Sequence, residues 1–136
     1  MKIKKALTIK FKSLSELERE LLYYPKTKVG YIQPKDVILF ENMNAFRNFM
    51  TLQKLELLAL IASAKPKSVY ELAKMVDRAI APVQKDCQSL AQARFIIFEK
   101  EKGGRSKMTP KLKFDYNRIV VEMPEHPYEL SFKTAA

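Results

Sequence analysis

The sequence predicts an α+β chain in which a small N-terminal α+β segment precedes a three-helix unit closed by a β-hairpin. Three observations lead to this expectation. Residues 6–12, ALTIKFK, alternate with the period of a strand. Residues 51–92 carry helical apolar patterns interrupted twice, at KPK (65–67) and DRA (77–79). Residues 95–114, FIIFEKEKGGRSKMTPKLKF, read as two extended runs about a Gly-Gly turn.

The N-terminal elements follow in order. Leu7, Ile9 and Phe11 share one face of the first strand, with Thr8, Lys10 and Lys12 on the other. Ser13-x-x-Glu16 is a capping box, in which a serine side chain and a glutamate three residues on satisfy each other's free backbone N–H groups, so a helix starts there. Residues 23–34, YYPKTKVGYIQP, form a loop by their prolines and glycine. DVILF (36–40) is a short buried strand and NMNAFRNFM (42–50) a short helix.

From Thr51 the texture changes. TLQKLELLALIASA is apolar nearly all round, which predicts a helix in the middle of a core. Ser68-x-x-Glu71 is a second capping box, followed by Val69, Leu72, Ala73 and Val76 at helical spacing. Val83, Cys87, Leu90 and Ala91 then make a separate stripe, out of register with the first. Pro82 would cost roughly 3 kcal/mol or more inside one continuous helix. In the first turn of a new helix it costs little, because the backbone N–H groups there have no intrahelical partner. The reading is therefore two short helices joined by a tight turn, the grammar of a helix-turn-helix, with the hairpin as its wing. Pro110 marks the second wing strand as an edge or irregular strand. RIVVEM (118–123) adds a further strand, and YELSFK (128–133) alternates as well. The expected domains are 1–50, an N-terminal α+β extension offering a dimer or partner surface; 51–115, a winged helix-turn-helix; and 116–136, C-terminal strands and tail.

Composition narrows the chemistry. A chain of 136 residues, 47% apolar and 29% charged, is expected to be one ordinary globular domain with an appendage. The longest apolar run, Leu57–Ala62, is far too short to span a bilayer, and MKIKK is followed by no signal-like apolar stretch. A cytoplasmic protein is expected. A single cysteine and a single histidine, His126, leave no material for a disulfide framework, a zinc site or a histidine-based triad. No phosphate-cradling glycine loop is present. No enzyme, cofactor or metal is expected.

The net charge of +10 is concentrated. Residues 1–12 hold five lysines and no acid, and residues 99–113 hold six basic residues against Glu99 and Glu101. Such stripes point to a polyanion. With Val83, Cys87 and Leu90 inward, the second helix of the pair presents Ala81, Lys85, Gln88, Ser89 and Gln92, with Gln84 and Arg78 toward its N-terminal side. Glutamine pairs with adenine edges, and lysine or arginine reaches guanine or phosphate. A recognition helix over about 80–92 enters the major groove with its N-terminal half foremost, and a wing over 95–114 lies on phosphates or in the minor groove. The candidate DNA-binding residues are Arg78, Ala81, Gln84, Lys85, Gln88 and Ser89 on the helix, with Lys102, Arg105 and Lys107 on the wing. Lys2, Lys4 and Lys5 are a candidate arm on the backbone. Single-stranded or RNA binding would call for aromatics among the wing lysines, and EKEKGGRSK has none. Cys87 reads as a small core residue and Asp86 as a structural partner for a nearby base or backbone N–H.

The run SVYELAKMVDRAIAPVQKDCQSLAQARFI, the later GGR and FDYNRIVVEMP together resemble winged-helix transcriptional regulators of bacteria and archaea, broadly MarR/ArsR-like. The resemblance runs from about Phe40 to about Pro124, and S-V-x-E-L-A-x-x-V-x-R is its most specific piece. It implies a sequence-specific regulator of double-stranded DNA, a homodimer, with no membrane. It also implies, as the alternative, an antitoxin that binds a toxin protein and represses its own operon. The sequence departs from that family's pattern at Asp77 and Arg94, where glycine is frequent, and at Ala79, which offers no capping side chain.

Overall fold

The computed structural model describes residues 5–23, 35–100 and 108–123. Among these, five helices and five strands make a mixed α+β chain with two small sheets. These fall into two compact units: one built from the described residues within 6–49 and from 118–123, the other from the described residues within 50–117 together with Lys5.

The first unit is a three-stranded parallel sheet. Its centre is β1 (Ala6–Phe11), flanked by β2 (Val37–Phe40) and by β5 (Arg118–Val121). Ile9 stands opposite Ile38 on one side and Val121 on the other, so the alternation read in ALTIKFK sets one apolar face across all three strands. Leu7, Ile9 and Ile38 are buried there. The residues 118–123 thus add their strand to the N-terminal sheet, beside β1. Helix α1 (Leu14–Tyr23) opens as expected, the Glu16 N–H donating to Ser13 Oγ at 3.2 Å. Helix α2 (Met43–Phe49) is capped by Asn42, whose Oδ1 accepts from the Ala45 N–H at 2.8 Å. Phe46 meets Phe11 and Phe40 edge-on, with ring centroids 6.3 and 5.2 Å apart, which docks α2 on the sheet's apolar face.

The second unit runs α3 (Leu52–Ser63), α4 (Val69–Met75), α5 (Ile80–Gln92), then the antiparallel pair β3 (Ile96–Lys100) and β4 (Met108–Leu112). Three helices followed by such a ribbon are compatible with a winged helix. The core is Leu57, Leu58 and Ile61 of α3, Leu72 and Ala73 of α4, Val83, Cys87 and Leu90 of α5, with Phe95, Ile96 and Tyr116 closing it. The starts of α3 and α4 are capped by side chains: Thr51 accepts from the Lys54 N–H and Ser68 from the Glu71 N–H.

One expectation is corrected. Helix α3 does not sit in the middle of a core: Leu52 is 84% exposed and Leu55 41%. Its neighbours α4, α5 and β4 cover only the face carrying Leu57, Leu58 and Ile61, so the all-round apolar pattern overstates its burial.

Three helices end on non-glycine residues of positive φ: Lys65 at 49°, Asp77 at 54° and Arg94 at 71°. After α4, the Arg78 N–H donates to Ala73 O at 3.0 Å and the Asp77 N–H to Lys74 O at 3.2 Å. After α5, the Phe95 N–H donates to Leu90 O at 2.9 Å and the Arg94 N–H to Ala91 O at 3.1 Å. Both pairs are the Schellman pattern, which recovers orphaned helix carbonyls and needs a left-handed residue at the position Asp77 and Arg94 occupy. Phe95 and Leu90, each fully buried, supply the apolar contact that accompanies it.

Candidate nucleic-acid interface

Helix α5 is positioned by what it buries. Val83, Cys87 and Leu90 are each 0% exposed, which fixes the helix's rotation about its axis. The opposite face follows by geometry: Ala81, Gln84, Lys85, Gln88 and Gln92 are exposed, while Ser89 is half-buried on the flank. Among the described residues Lys85 has no ion pair. Pro82 is the third residue of α5, in the first turn, and Ala79 before it makes no side-chain capping bond.

Arg78 is held differently. Its guanidinium donates to Asp86 Oδ2 at 3.0 Å, with the two side chains only 20% and 22% exposed. The pair clamps the turn to the second turn of α5. It gives Asp86 the structural role expected of it and holds Arg78 at the helix tip by an ion pair. The carboxylate also bears on Cys87. Burial raises the thiol to about 11, and the charge of Asp86 adds to that, partly offset by Arg78. A thiol so placed is neutral and shielded, as the core reading requires.

The hairpin pairs Ile96 with Leu112 and Phe98 with Pro110. A two-stranded ribbon has only edge strands, where proline's missing N–H is tolerated. Glu99 forms an ion pair with Lys111 across the ribbon. Thr109, buried in β4, donates its hydroxyl to Lys67 O at 2.8 Å and so ties the ribbon to the turn between α3 and α4. Tyr116 donates its hydroxyl to Phe95 O at 2.9 Å, and burial raises that phenol well above its ordinary range. Neither tie was legible in the sequence, since Thr109 and Lys67 lie 42 residues apart. The Arg78–Asp86 clamp had a partial signal, opposite charges on either side of one helix start.

Lys102, Arg105 and Lys107, the wing residues expected to contact DNA, lie outside the described residues, with Gly103-Gly104 and Glu101. So do Lys2 and Lys4, residues 24–34, His126 and the alternating run 128–133. Among the described residues no three His, Cys, Asp or Glu side chains gather as a metal ion would need, and no helix is long and apolar enough to cross a membrane.

The helix order and ribbon of the second unit are thus compatible with a winged helix. The chain belongs to the HVO_A0114 family, whose model matches residues 49–121, more than half of its length. No curated protein matches it. It is similar in structure to a point mutant of MepR from a multidrug-resistant S. aureus clinical isolate, at 16% identity and a TM-score of 0.39. That likeness covers 74% of this chain and 65% of the other, just under two thirds of its length.

Proposed function

We propose that the protein is a sequence-specific regulator of transcription that binds double-stranded DNA with a winged helix-turn-helix. Helix α5 enters the major groove and the β3–β4 ribbon lies along the backbone. The observation that carries the reading is the division of α5 into a fully buried stripe, Val83, Cys87 and Leu90, and an opposite exposed face bearing Ala81, Gln84, Lys85 and Gln88. Glutamines at that face can bond adenine edges in pairs, and Lys85 can reach guanine or phosphate. Lys102, Arg105 and Lys107 join the reading by charge and sequence position alone, as phosphate contacts.

The reading includes a homodimer. It is supported by α3, where Leu52, Leu55, Ala59 and Ala62 form an exposed stripe at heptad spacing. The same stripe favours the alternative, an antitoxin that offers this face to a toxin protein. Sedimentation of the purified chain, alone and after capture from its host, separates the two.

The test of DNA binding is selection from a random duplex library, followed by salt titration on the selected site. We expect an enriched motif and a log K that falls linearly with log salt by about 0.9 per phosphate contact. Replacing Arg105 and Lys107 with Ala should reduce that slope while leaving the preference for the motif in place. A library that shows no enrichment over input would refute sequence-specific binding.

A further inference from the structure

A groove of about 610 Å³ opens in the second unit between the end of α3, the turn into α4 and the ribbon. It shares no residue with the exposed face of α5. Its size is that of a small-molecule site.

The groove's chemistry is divided between floor, wall and rim. Ile61, Pro66 and Pro110 close the floor, nearly or wholly buried. The Thr109 hydroxyl at that floor already donates to Lys67 O, so it has no proton left to offer a ligand. Leu112 and Phe114, half-buried, form an apolar wall. The Phe114 ring is fixed from behind by Tyr116, 5.0 Å away centroid to centroid, which is in turn anchored on Phe95 O. The wall is therefore set before any ligand arrives, which lowers the ordering cost of binding.

The rim is cationic. Lys65, Lys67, Lys100 and Lys111 face Glu99 and Asp115, an excess of two positive charges. Lys111 and Glu99 neutralise each other as an ion pair. Among the described residues Lys65, Lys67 and Lys100 carry no ion pair. They outnumber Asp115, so the rim still attracts an anion.

From this arrangement we infer that the groove binds a small amphipathic dianion, a flat ring carrying a phosphate monoester. The ring lies on Phe114 and Leu112, and the phosphate meets Lys65, Lys67 and Lys100. A phosphate monoester carries about −1.5 to −2 charges at neutral pH, which matches the excess on the lining. Lysine serves as a point-charge partner for phosphate, and an aromatic face accepts any planar ring.

The experiment titrates the full chain with 1-naphthyl phosphate, followed by fluorescence, against 1-naphthol, 1-naphthoate and inorganic phosphate. Saturable 1:1 binding is expected for the naphthyl phosphate. Each of the other three, lacking either the ring or the dianion, should bind at least tenfold more weakly. Competition by adenosine 5′-monophosphate would assign the natural ligand to nucleotides, and failure to compete to another aryl phosphate; both agree with the proposal. The Lys67→Ala/Lys100→Ala variant should lose tenfold or more in affinity with an unchanged melting temperature, whereas Lys85→Ala/Gln88→Ala on α5 should bind the probe as the parent does. Equal binding of 1-naphthol overturns the proposal. So does loss of the probe in the α5 variant but not in the groove variant, which would place it on the DNA-binding face. The proposal is read apart from DNA recognition, because its probe carries no base sequence and is titrated in the absence of duplex.

Discussion

The Arg78 guanidinium and the Asp86 carboxylate, 3.0 Å apart and both about four-fifths buried, fasten the turn between α4 and α5 to the helix that follows it. The turn has no glycine and α5 no capping side chain, so this ion pair does part of the orienting that caps would do elsewhere. A double-mutant cycle on Arg78→Ala and Asp86→Ala should give a coupling of about 1 kcal/mol, the upper end of the range for solvent-exposed ion pairs. On DNA, Arg78→Ala should lower affinity for all sequences to a similar degree. A base-specific loss would show that Arg78 leaves Asp86 to read the groove.

On the exposed face of α5, Lys85→Ala and Gln88→Ala should each cost about 1–3 kcal/mol on the selected site. Neither side chain contributes to the Val83, Cys87 and Leu90 stripe, so thermal melting should stay where it is. Fluorescence anisotropy with the selected and a scrambled duplex checks this. An unchanged double variant would remove α5 from the reading.

Arg94 sits at φ 71° because the Schellman closure of α5 needs a left-handed residue. For a residue with a Cβ that conformation costs about 1–2 kcal/mol, and glycine gives back about half of the gain through its looser unfolded chain. Arg94→Gly should therefore stabilise the protein by about 0.5–1 kcal/mol in urea unfolding. Arg94→Val should destabilise it, since β-branching makes positive φ harder still.

Cys87 should be labelled by a thiol reagent only as fast as the protein opens, and fully once urea unfolds it. Its folded thiol is raised to about 11 from an ordinary 9.0, so the unfolded state ionises first. The sign follows: the thiol's contribution is intact below pH 9 and is lost as pH rises from 9 to 11. Tyr116, also raised by burial, adds a further loss above pH 10. Stability curves of the parent and of Cys87→Ala, compared between about pH 8 and pH 11, should converge as pH rises.

The Thr109 hydroxyl on Lys67 O joins ribbon to turn, and Thr109→Val removes the bond while keeping the shape. The expected cost is about 1 kcal/mol, the net worth of one hydrogen bond with its acceptor left unfilled. Calorimetric melting reads it directly. No change would mean that water replaces the hydroxyl.

What the sequence by itself determined are the features whose physics is local. Capping side chains at Ser13 and Ser68 satisfy N–H groups three residues away, and both helices begin where those residues predict. The 3.6-residue stripe Val83–Cys87–Leu90 and the placement of Pro82 in a first turn separate α4 from α5 without reference to the rest of the chain. The same stripe decides which residues of α5 face outward. Tertiary structure decided what depends on partners distant along the chain. Residues 118–121 read equally well as a strand for any sheet; only pairing with Leu7 and Ile9 assigns them to the N-terminal one. The apolar residues of α3 look alike in sequence, and only packing buries Leu57 and Ile61 while leaving Leu52 outside. The charge of Arg78 is visible in the sequence, and the position of its partner is not. Folding brings Asp86 to within a hydrogen bond of that guanidinium, and a Coulomb attraction in a largely buried setting pairs the two.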